Sequence, residues 1–70
     1  MDQPSQKYVD LAYTIIENRG QIDHESLTHR LQDEISRDIG WSQADTQKVI
    51  RELRTDGKVK VTLDREYSIK

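Results

Sequence analysis

The spacing of apolar residues changes at Gly57, and this change limits the fold more than any other feature of the chain. Before Gly57, apolar residues recur every three or four positions, which is the period of a helix buried along one side. After it they recur at every second position, which is the period of a strand with one apolar face. The two periods together predict an α+β fold in which three helices are followed by a two-stranded hairpin.

The chain is too short to enclose a deep catalytic cavity beside its core. It has 70 residues, of which 33% are hydrophobic and 34% charged, and a domain near this size buries only about 60% of its unfolded surface. It contains no cysteine, which fits a reducing compartment, and no apolar run long enough for a signal peptide or a membrane span. We therefore expect one binding domain without enzymatic activity, in the cytoplasm or associated with the nucleoid.

Three helical segments are indicated, each ending near a glycine that can adopt a positive φ. Residues 1–4 are expected to form a flexible leader, and a short strand or bridge at Gln21 and Ile22 to follow the first helix. Trp41 comes after the tight turn between the second and third helices, where we expect it to plug the core. The helices are predicted at about residues 5–18, 24–38 and 43–56, with N-caps at Ser5, Asp23 and Ser42 and stops at Gly20, Gly40 and Gly57.

The first helix is apolar over a wider arc than a surface helix needs. Beside its inward stripe runs a second apolar row, formed by Val9, Tyr13 and Ile16. Two interpretations remain open for this row. Either the core of the domain covers it, or a second copy of the chain does, which would make it a homodimer contact.

The third helix has an exposed side that is sorted by charge. Its buried stripe is predicted at Thr46, Val49, Ile50 and Leu53. The opposite side carries amides and cations, and the acidic residues collect along one flank. Amide and guanidinium groups can hydrogen-bond base edges, and lysine or arginine can neutralise phosphates. The alternative is an ordinary solvated helix surface with i, i+4 neighbours such as Lys48 and Glu52.

The charges of the whole chain are also unevenly distributed. Residues 1–41 hold four basic and eight acidic residues, and residues 42–70 hold seven basic and five acidic ones. The net charge is therefore −4 in the first part and +2 in the second, although the whole chain carries −2. Cations gathered in the C-terminal part are expected if that part faces phosphate.

The hairpin strands are predicted at about residues 58–63 and 67–70. Pairing Leu63 with Tyr67 and Val61 with Ile69 places all four side chains on the core side. The loop would then be Asp64-Arg65-Glu66, which lacks the glycine or asparagine usual in tight hairpins.

The segment Ser42–Val61, SQADTQKVIRELRTDGKVKV, resembles the recognition helix of winged helix-turn-helix domains running through Asp-Gly into the first wing strand. The closing segment Arg65–Ile69, REYSI, is similar to the last strand of winged-helix domains appended to replicative helicases. The resemblance is one of pattern and covers residues 5–70. It implies a winged helix-turn-helix fold and binding of double-stranded DNA, in a transcription regulator or in an accessory domain of a replication or DNA-processing protein.

The residues expected to bind DNA lie on the third helix and on the hairpin that would form the wing. A protein-interaction or dimerisation winged helix that binds no nucleic acid is the alternative, and RNA binding is a third option. The expected DNA-binding residues are Gln43, Gln47, Lys48, Arg51, Arg54, Lys58, Lys60 and Arg65.

The two histidines do not suggest a metal site. His24 and His29 are five positions apart, so they project from different faces of a helix, whereas a metal-binding pair needs i, i+4 spacing. No glycine-rich phosphate loop and no paired carboxylates are present either. We expect no metal, no cofactor and no catalytic residue.

Overall fold

The computed structural model of the protein describes residues 6–35 and 40–70. The predicted leader and the predicted N-cap at Ser5 lie outside the described residues. The helices are α1 (Gln6–Arg19), α2 (His24–Glu34) and α3 (Gln43–Thr55), and the strands are β1 (Gln21–Asp23), β2 (Val59–Val61) and β3 (Glu66–Ile69). This is the predicted α+β order of three helices and a C-terminal hairpin, a layout compatible with a winged helix.

The second helix is shorter than its apolar spacing suggests. Asp23 caps its start by accepting a hydrogen bond from the amide of Ser26 at 3.1 Å. The helix ends at Glu34, because Ile35 has extended backbone angles, with φ −92° and ψ 132°. The predicted end near residue 38 is therefore wrong. Ile35 nevertheless stays buried, at 4% exposure, because its side chain still reaches the core from outside the helix.

One apolar core lies between the three helices and one face of the sheet. Since burial of apolar area dominates the stability of small domains, these side chains hold the elements together. Trp41 belongs to this core with 8% exposure, as predicted for the turn before α3. The buried apolar residues are Val9, Ala12, Ile15, Ile16, Ile22, Leu27, Leu31, Ile35, Trp41, Val49, Ile50, Leu53, Val59 and Tyr67.

The second apolar row of α1 faces the core of its own domain. Val9 is 4% exposed and Ile16 is fully buried, while Tyr13 is half-buried and packs against the core. The interpretation of this row as a homodimer contact is therefore wrong for Val9 and Ile16. Apolar residues on two sides of α1 are buried because other helices and the sheet pack against both sides.

The sheet has three strands, and the predicted two-stranded hairpin is only part of it. The strand order is β1-β3-β2, with both pairs antiparallel. Gly20, with φ 84°, ends α1 and turns the chain directly into β1. Ile22 then pairs with Tyr67. Only three residues long, β1 exists because β3 offers it an edge.

The hairpin register differs by two residues from the predicted one. Val61 pairs with Tyr67 and Val59 with Ile69, so Leu63 lies in the loop and is fully exposed. Shifting the loop by one position shifts the pairing by two, which keeps Val59 and Tyr67 on the core side. The prediction that Leu63 and Val61 both lie on the core side is therefore wrong, since Val61 is also exposed, at 42%.

Among the described residues, no helix is long and apolar enough to cross a membrane.

Candidate nucleic-acid interface

The start of α3 is fixed by a reciprocal capping box. The Ser42 hydroxyl accepts a hydrogen bond from the amide of Asp45 at 3.3 Å, and the Asp45 carboxylate accepts one from the amide of Ser42 at 2.9 Å. Two amides that the first turn leaves unpaired are thereby satisfied. The residues of the first turn consequently have defined positions on the surface.

The inner side of α3 is held by a buried polar chain. The Trp41 indole Nε1 donates to the Thr46 hydroxyl at 2.9 Å, and the hydroxyl oxygens of Thr28 and Thr46 lie 2.8 Å apart. The Thr28 hydroxyl in turn donates to the carbonyl of His24 at 2.9 Å. Each polar hydrogen has one acceptor when Trp41 Nε1 donates to the Thr46 hydroxyl, the Thr46 hydroxyl donates to Thr28, and the Thr28 hydroxyl donates to that carbonyl. This network joins α2, the turn and α3, and it sets which side of α3 faces outward.

The outer side of α3 carries the side chains that were expected to bind DNA. The inward positions Thr46, Val49, Ile50 and Leu53 are at most 1% exposed, which confirms the predicted stripe. The helix residues expected to contact DNA are all exposed: Gln43, Gln47, Lys48, Arg51 and Arg54. The carboxylates of Asp45 and Glu52 lie on the other flank, where both residues are half-buried.

A depression of about 350 Å³ lies on this side of α3, toward the end of the helix. Three of the residues expected to bind DNA line it, namely Gln47, Arg51 and Arg54, whereas Gln43 and Lys48 do not. No carboxylate lines it, and Ile50 contributes to its wall although that residue is only 1% exposed. The lining residues are Gln47, Ile50, Arg51, Arg54 and Thr55.

The hairpin places three more of the expected cations at the surface. Lys58, Lys60 and Arg65 are exposed. The amide of Arg65 donates to the carbonyl of Thr62 at 3.0 Å, and the amide of Thr62 donates to the carbonyl of Glu66 at 2.7 Å. These bonds close a three-residue loop in which Arg65, with φ 63°, occupies the left-handed position that glycine usually takes.

His24 has a position that the sequence reading did not anticipate. Its Nδ1 lies 2.8 Å from the hydroxyl oxygen of Tyr67, and its Nε2 lies 3.1 Å from the carbonyl oxygen of Gln43. A histidine at the start of α2 thus links the last strand to the first residue of α3. The only feature of the sequence that indicated such a contact was the inward position of Tyr67, because a buried tyrosine hydroxyl needs a hydrogen-bond partner.

Burial raises the pKa of the Tyr67 hydroxyl, and the positive charge of Arg54 opposes that rise. Within the described parts of the chain, no three histidine or acidic side chains are grouped so that they could hold a metal ion.

Comparison with known proteins finds no match to this chain among protein-family models, curated proteins or solved structures.

Proposed function

We propose that this chain is a winged helix-turn-helix module that binds duplex DNA, with the outer side of α3 in the major groove and the hairpin against the flanking backbone. The observation that carries the proposal is the sorting of α3. Its amides and cations are all exposed, and its carboxylates are confined to one flank. A helix fits the major groove, and base edges and phosphates there are recognised by amide and cationic groups.

The net charge of −2 for the chain does not oppose this proposal, because association depends on the charge of the face that meets the phosphates. We infer that the module serves a transcription regulator or an accessory domain of a replication or DNA-processing protein. It would act in the cytoplasm or at the nucleoid.

Fluorescence anisotropy with pooled duplex probes at increasing salt tests the proposal. Binding should weaken linearly on a plot of log affinity against log salt, because bound phosphates release counterions. The double change Lys48→Glu with Arg54→Glu should abolish binding. The matched control, Arg30→Glu, alters an exposed arginine on α2 and should bind duplex nearly as well as the natural protein.

Single-stranded DNA and RNA probes of equal length complete the experiment. Duplex DNA should bind most tightly. A protein that binds no duplex even at low salt, or that prefers RNA, contradicts the proposal.

A dimerisation module without nucleic-acid binding is the alternative, and it has less support because Val9 and Ile16 lie in the core. The exposed side chains Val61 and Leu63 are the observation in its favour. Sedimentation equilibrium over a wide concentration range distinguishes the two functions. A dimer that becomes monomeric in the Leu63→Ser variant, together with absent duplex binding, would favour this alternative.

A further inference from the structure

We infer that the depression on α3 is a phosphate-binding site in which Arg51 and Arg54 hold one backbone phosphate, while base edges are left to residues nearer the start of the helix. This inference rests on the proposed function.

The two arginines are free to bind an anion. Neither guanidinium forms a hydrogen bond or ion pair with any other residue in the described part of the chain. The Gln47 amide and the Thr55 hydroxyl in the wall of the depression are further hydrogen-bond donors. No carboxylate lines the depression to compete with an anion for the two arginines. An anion entering the depression would therefore meet only cationic or neutral groups.

The helical neighbours explain why these cations are unpaired. Helix residues three or four positions apart are adjacent on the surface, and an arginine usually finds its carboxylate there. At these spacings Arg51 meets no acidic residue, and neither does Arg54. Within α3 the neighbours of Arg51 are Gln47, Lys48, Arg54 and Thr55, and those of Arg54 are Ile50 and Arg51.

Lys48 provides the contrast on the same helix. It has Asp45 three positions before it and Glu52 four positions after it, so its charge has acidic neighbours. Arg51 and Arg54 instead neighbour each other as like charges, which is unfavourable in the free protein. A bound phosphate would relieve that repulsion, because its oxygens can accept from both guanidinium groups.

The place of the depression along the helix suits a phosphate better than a base. In helix-turn-helix proteins, residues at the start of the recognition helix contact base edges. Arg51 and Arg54 belong to the second half of α3, which spans Gln43–Thr55. The volume of about 350 Å³ corresponds to on the order of ten water molecules, so a phosphate fits there with part of its hydration shell.

Salt-dependent duplex binding by single variants tests the inference. Arg51→Ala and Arg54→Ala should each weaken binding to all duplex sequences by the same factor, on the order of tenfold. Each should also reduce the slope of log affinity against log salt by about 1. Gln43→Ala should instead change the ranking of sequences, and the control Arg30→Ala should change neither quantity. If Arg51→Ala alters the ranking and leaves the slope intact, the inference is overturned and the proposed function stands.

An NMR titration of the full chain with inorganic phosphate, at constant ionic strength against chloride, decides the case in which no duplex binds. Shifts confined to the Gln47, Arg51, Arg54 and Thr55 signals, and lost in Arg51→Ala, would uphold a phosphate site in a protein that is not a duplex binder. Equal shifts with chloride, or none, would overturn it.

Discussion

His24 Nδ1 lies 2.8 Å from the hydroxyl oxygen of Tyr67, and these two residues are 43 positions apart in the chain. The two rings also meet edge to face, with centroids 5.9 Å apart. Since His24 Nε2 lies 3.1 Å from the carbonyl oxygen of Gln43, one side chain connects α2, β3 and the first residue of α3. The orientation of the proposed recognition helix relative to the hairpin thus depends on His24.

We expect His24→Ala to destabilise the protein by about 1–3 kcal/mol, because the Tyr67 hydroxyl, in a residue that is 8% exposed, loses its partner. Tyr67→Phe should make the His24 change less costly, and a double-mutant cycle in urea measures that coupling. The matched control is His29→Ala, an exposed histidine on the same helix, with an expected effect below about 0.5 kcal/mol. Equal losses for the two histidine variants would contradict this account.

Thr46→Val should cost about 1–3 kcal/mol, although it hardly changes the volume of the side chain. Its hydroxyl is the acceptor for the buried Trp41 Nε1 at 2.9 Å, and a buried donor without an acceptor is expensive. Thr55→Val makes the same chemical change at an exposed position of α3 and should be nearly neutral. Chemical unfolding followed by Trp41 fluorescence measures both variants, and a neutral Thr46→Val would show that the buried chain contributes little.

The observed hairpin register predicts opposite results for two apolar residues of the same segment. Leu63→Ser should change stability by less than about 0.5 kcal/mol, because Leu63 is fully exposed in the loop. Val59→Ala should cost on the order of 2 kcal/mol, because Val59 is 3% exposed. Thermal unfolding of both variants distinguishes the registers, and a large loss for Leu63→Ser would support the pairing of Leu63 with Tyr67.

Replacing Arg65 by glycine should raise stability by up to about 1 kcal/mol. Arg65 has φ 63°, a conformation that costs an L-residue roughly 1–2 kcal/mol, while the entropy lost by glycine offsets part of the gain. Asp64→Gly is the control, because Asp64 does not have a positive φ and should lose stability. Urea midpoints that move in the same direction for both variants would contradict the assigned loop conformation.

Acid should weaken the start of α2. Hydrogen bonds from Ser26, side chain and backbone, hold the pKa of the Asp23 carboxylate below its ordinary value of 3.8. A lowered pKa in the folded state means that the cap stabilises fully above that ordinary value and is lost as pH falls through the folded pKa. Asp23→Asn still caps a helix but does not titrate.

The test of this acid effect is the melting temperature measured from neutral pH into the acid range. The natural protein should lose more stability than Asp23→Asn on acidification. Parallel curves for the two proteins would rule out the cap as a source of the pH dependence.

The sequence by itself determined the elements and the faces that they bury. The spacing of apolar residues, the helix caps and the glycines that end helices are local properties of the sequence. From them one can predict the buried stripe of α3 and the caps at Asp23 and Ser42. The alternation in the hairpin likewise predicts that Val59 and Tyr67 face the core. The exposed amides and cations of α3 follow from the same periodicity, because residues opposite a buried stripe face outward.

Only the tertiary structure decided how far each element extends and which residues meet. A two-residue shift of the hairpin keeps every side chain on its face, so alternation cannot choose between the two registers. In the folded sheet Val61 pairs with Tyr67 and Val59 with Ile69, which leaves Leu63 exposed in the loop. Likewise, the contact of His24 with Tyr67 depends on where distant segments come together, and no local pattern encodes that.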